Sequence, residues 1–71
     1  PARADLGEYL AVADDAQALL DRIDLVMAYG TLSDATREST LSSIEVIEDL
    51  EIRVRAALYL VLVSPDQAVE L

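Results

Sequence analysis

Apolar residues return at three- and four-residue steps along this chain, and that spacing predicts helices. The clearest run is Ala16, Leu19, Leu20, Ile23, Val26 and Met27, which share one helical face. Asp14 or Asp15 is placed to cap its start, where negative charge suits the positive end of the helix dipole. Gly30, after Tyr29, is the left-handed residue expected to close it, so the helix is predicted over 15–29. Ahead of it, Leu6, Leu10 and Val12 form a weaker pattern interrupted by Gly7, which leaves room for a short extra helix over 4–11, frayed at its start.

The stretch GTLSDATREST reads as stop, turn and restart. Ser33 is a good N-cap with Asp34 in the first turn, although Thr36 stands where a full capping box would place Glu or Gln. Leu32, just before the cap, is positioned to pack on the Arg37 stem or on Leu41. The second helix is predicted over 34–47. Its apolar face is thin (Ala35, Leu41, Ile44, Ile47), and its hydroxyl residues are mediocre helix formers, so tertiary contacts must hold it. Either Glu48 or Asp49 caps a new helix, or the second helix continues unbroken, because no Gly or Pro forces a stop there. The third helix is predicted over 50–63, ended by Pro65, which disfavours the helical conformation at Ser64. Asp49–Arg53 and Glu51–Arg55 have the i,i+4 spacing of favourable ion pairs. Residues 56–63 would also suit a buried strand, but no second strand is available to pair with it. The tail after Pro65 reads as a short turn of helix or as disorder. The expected fold is all-α: one small module of three helices with a possible fourth at the N-terminal end.

Length and charge sharpen this picture. A 71-residue chain buries only about 60% of its unfolded surface. Small domains commonly compensate with disulfides, metals or oligomers. With no Cys and no His, disulfides and Cys/His zinc sites are excluded, which leaves regular helix packing or docking on other protein. Fourteen acidic against five basic residues give a net charge of −9, a surface that repels phosphate backbones and anionic lipid. Nucleic acid and membrane are therefore not expected partners. The apolar run of 56–63 is too short to cross a bilayer, and the first residues do not resemble a signal peptide. Starting at Pro1 without Met, the chain reads as a fragment, a processed product or the ordered part of something longer.

Carboxylates are the abundant reactive groups. Asp21 and Asp24 lie three apart, and Glu45, Glu48 and Asp49 cluster before the third helix, but neither group has the spacing of a calcium loop, and a solvated polar face explains both. The serines have no His or Lys to activate them, so an enzyme confined to this chain is not expected, and no catalytic, metal or cofactor-binding residue is assigned. Tyr59 is expected to set its ring in a core with the hydroxyl at the edge. Arg53 and Arg55 are expected as ordinary ion-pair partners of Asp49 and Glu51.

The order of signals in LLDRIDLVMAYGTLSDATRESTLSSI, followed by RVRAALYLVLVSPDQAVE, resembles the C-terminal end of a large bacterial family known as domain of unknown function 1800. The positions that carry the resemblance are Leu20 to Leu25, Gly30, Leu32, Ser33, Thr36 and Arg37, then Arg53, Val54, Ala56, Ala57, Tyr59, Leu60, Val61, Ser64 and Pro65. Asp66-Gln67 and the acidic stretch before Arg53 depart from it. The resemblance implies the last part of a mostly helical bacterial protein, usually exported, and it transfers no catalytic residue. It also implies that RVRAALYLVLVSP is a helix enclosed by a larger helical body. Residues 56–63 are apolar on every side, more than two neighbouring helices can cover. Leu58, Leu60, Val61, Leu62 and Val63 are therefore the expected interface, with Leu60 and Val63 on one side and Leu58 and Leu62 on the other. The expected partner is the rest of a parent protein or another copy of the chain, giving a homo-oligomer if isolated. The alternative is an acidic module that binds a basic protein or a divalent cation.

Overall fold

The computed structural model describes residues 6–64, and these are all-helical, with no strand among them. Four helices follow in order: α1 (Gly7–Leu10), α2 (Ala16–Met27), α3 (Asp34–Ile44) and α4 (Leu50–Leu62). The expected fourth helix is therefore present, as one turn within the expected 4–11. The tail after Ser64 and the first residues of the expected 4–11 helix lie outside the described residues.

Each of the three longer helices starts on a short polar side chain. The Asp15 carboxylate accepts from the Gln17 and Ala18 N–H groups, the Ser33 hydroxyl from Thr36 N–H, and the Asp49 carboxylate from Glu51 and Ile52 N–H. These bonds occupy N–H groups that a helix start leaves without an intrahelical partner. α2 closes through two successive left-handed residues, Tyr29 (φ 55) and Gly30 (φ 77), with the Gly30 N–H returning to the Asp24 carbonyl at 2.9 Å. A glycine was expected in that conformation; a tyrosine there is uncommon.

α3 ends at Ile44, three residues before the expected 47, and the chain re-enters a helix only at Leu50, capped by Asp49. The second and third predicted helices are thus separate. The early stop has a physical cause in the guanidinium of Arg53, described below, which takes the carbonyls that a longer helix would use. α2, α3 and α4 pack on one another and α1 lies across α2 and α4. Leu19, Leu20, Ile23, Ile44, Val54 and Val61 are the large side chains sealed from water, joined by Tyr9, Ala13, Ala28, Leu32 and Ala57. The Cα trace measures 33 × 33 × 16 Å, and since a helix with its side chains is about 10–12 Å across, no helix of so thin a body is covered all round.

Candidate interaction surface

The inner side of α4 is built around Arg53. Three turns of helix align Arg53, Ala57, Val61 and Ser64 with Val54 on the buried side. The Arg53 Nε donates to the carbonyls of Ile44 and Ile47, both at 3.0 Å, Nη2 to that of Glu45 at 3.2 Å, and Nη1 to that of Ala13 at 2.7 Å. The C-terminal carbonyls of a helix carry partial negative charge and lack intrahelical donors, so a guanidinium among them satisfies both needs. One side chain thereby ties α4 to the end of α3 and to the α1–α2 turn. The expected Asp49–Arg53 ion pair does not form, because Arg53 is turned inward and Asp49 is spent as a cap. The Arg55–Glu51 pair does form, at 2.7 Å on the exposed side.

A second buried polar group corrects the reading of Asp21 and Asp24 as a solvated pair. Asp24 is buried, accepts the Leu32 N–H at 3.2 Å and holds Arg37 at 2.8 Å, and Arg37 also pairs with the exposed Asp21. These bonds fix the α2–α3 turn. Among the described residues, no group of three or more acidic side chains is arranged to hold a metal ion, and no helix is long and apolar enough to cross a membrane.

The outer side of α4 is uncovered. Tyr59 is 64% exposed, Val63 57%, and Ile52 and Leu62 55% each. At 3.6 residues per turn, Ile52, Tyr59 and Val63 fall within about 40° of one another, so they form a stripe along the helix. Alongside it, Leu60, Val63 and Ser64 face Ala35, Thr36, Ser39 and Thr40 of α3 across a shallow groove of about 340 Å³. Of the five expected interface residues, Leu62 and Val63 lie on this open flank and Leu58 and Leu60 are half-buried at the two edges. Val61 is sealed in the core at 0% exposure and cannot meet a partner. The expected division of α4, with Leu60 and Val63 opposite Leu58 and Leu62, is replaced by a boundary between Val54, Ala57 and Val61 inside and Ile52, Tyr59, Leu62 and Val63 outside. The expected place of the Tyr59 ring in a core is likewise overturned.

Sequence reasoning missed Arg53, Asp24, Ile52 and Tyr59 in these roles. A signal was present for Arg53: it stands four and eight residues before Ala57 and Val61, on one row of the same helix. Neither family models, curated proteins nor solved structures give a match to this chain.

Proposed function

We propose that this chain is a non-catalytic structural module that docks on further protein through the outer flank of α4. The observation that carries the reading is the uncovered stripe of Ile52, Tyr59 and Val63 with Leu62 beside it. Large apolar side chains scattered singly are ordinary on a protein surface, whereas several aligned on one side of a helix suit a binding face. The row sits on a helix whose inner side is already anchored by Arg53, Val54 and Val61, so it is presented on a fixed support. The resemblance of these segments to the end of a helical bacterial protein supports the same reading, with the rest of such a protein, or another copy, as the covering surface.

The test combines the melting temperature with light scattering over a concentration series and with binding to candidate upstream sequence supplied in trans. Ile52→Ser with Tyr59→Ser is expected to leave the melt unchanged and to abolish association. If the double variant associates as the parent chain does, in every format, the reading is wrong.

A further inference from the structure

Resting on that reading of α4, the partner can be given a chemistry. Acidic residues gather at the N-terminal end of α4: exposed Glu48, Asp49 and Glu51 line the end of the α3–α4 turn and the first turn of the helix, with exposed Val46 ahead of them, while Glu45 borders a depression with Asp14 and Asp15 at the start of α2. Among the described residues one cation balances one of them, Arg55 on Glu51, and the others are engaged elsewhere. Arg53 is buried among carbonyls, Arg55 pairs with Glu51, Arg37 is held by Asp21 and Asp24, and Arg22 faces Glu8. The flank thus grades from an acidic corner through Ile52 to the apolar Tyr59, Leu62 and Val63. We propose that it receives an amphipathic helix of another protein, whose apolar ridge lies on the stripe and whose basic residues meet the corner.

Charge complementarity selects this occupant over a second copy. Another copy brings a net charge of −9 and the same corner, and the Arg55 guanidinium on its flank is already spent on Glu51. Like charge set against like charge opposes association, while a basic partner gains both attraction and rate of encounter. Size points the same way. Four large side chains in line along one helix, beside a shallow groove, make a narrow face. They suit a single helix laid on a helix pair.

The probe is a synthetic amphipathic peptide with leucines at a and d positions of a heptad repeat and lysine and arginine at the flanking positions. Its counterpart carries glutamate at those flanking positions. Titration into the full chain is expected to show the basic peptide binding at least tenfold more tightly, with affinity falling as salt rises. Tyr59→Ser is expected to weaken it about tenfold, and Glu48→Lys several-fold. Glu38→Lys, the same charge change on the α2 side of α3, is expected to have little effect. Equal losses at Glu48→Lys and Glu38→Lys, no binding at millimolar peptide, or preference for phosphatidylcholine vesicles would overturn the proposal. Equal affinity for both peptides, or self-association abolished by Tyr59→Ser, removes the basic partner and leaves the α4 docking reading standing; an inert Tyr59→Ser removes both.

Discussion

At the scale of single residues, the fold depends on two charged side chains turned inward. Removing the partner of a buried polar group costs about 1–3 kcal/mol for each group left unmet. Arg53 serves four carbonyls, of Ala13, Ile44, Glu45 and Ile47. Arg53→Leu should therefore lower stability by about 3 kcal/mol, a large share of what a small domain has. Arg53→Lys should recover part of it, since an ammonium lacks the planar fork that reaches carbonyls on two sides. Urea denaturation of the three proteins measures this, and a leucine variant as stable as the parent would remove the clamp from the account. Arg53 left a trace in the sequence through its row with Ala57 and Val61, but the groups that the two buried charges satisfy were not legible, because folding alone brings them near, 6 to 40 residues away. Tyr9 supplies a pH dependence. Burial, with the neighbouring Glu8 charge, raises its phenol above the ordinary value of 10.0. A group whose pKa is raised by folding contributes stability that is fully present below its unfolded pKa and is lost as pH rises through the folded one. Stability should thus decline above about pH 10, and Tyr9→Phe should reduce that decline in urea titrations repeated between pH 9 and 11.

Elements were the most legible level, because their signals are local. Asp15, Ser33 and Asp49 each stand directly before an apolar-periodic run, and each caps the helix that follows. Gly30 stops α2 for the reason a glycine is used there, a positive φ. What failed locally was the end of α3, since its stop is imposed by Arg53, nine residues beyond Ile44. α3 is also the helix with the weakest internal preference: five of its eleven residues are Ser or Thr, not counting the cap, and the Ser43 hydroxyl competes for the Ser39 carbonyl. Two opposite changes follow. Ser33→Ala removes a cap bond and should cost about 1 kcal/mol. Ser42→Ala, at an exposed interior position, should raise stability by up to about 0.5 kcal/mol. Thermal melts followed by circular dichroism separate the two, and a Ser33→Ala melt equal to that of the parent would show that tertiary contacts alone hold the start of α3.

At the scale of the whole molecule, the question was which part of α4 faces inward. Residues 56–63 carry so little polarity that hydrophobic periodicity cannot orient them, and the inner and outer rows were legible only once Arg53 and the thin body of the fold were in view. The structure makes a sharp distinction between neighbours in sequence. Val61 is enclosed on all sides, whereas Leu62 and Val63, one and two residues on, are more than half exposed. Truncating an enclosed side chain loses transfer free energy and leaves a cavity. Val61→Ala should accordingly cost about 2 kcal/mol. Leu62→Ala and Tyr59→Ala remove apolar surface that the isolated chain never buries, so each should change stability by less than about 0.5 kcal/mol. Measured in the presence of whatever covers the flank, that order should change: a ligand that binds the native state alone adds stability in proportion to the logarithm of its concentration over its Kd. Tyr59→Ala should then lose the added stability while Val61→Ala keeps it, apart from its own deficit. A Tyr59→Ala chain that unfolds as readily as Val61→Ala without any partner would mean that the outer row belongs to the core, and that α4 has no free side to offer.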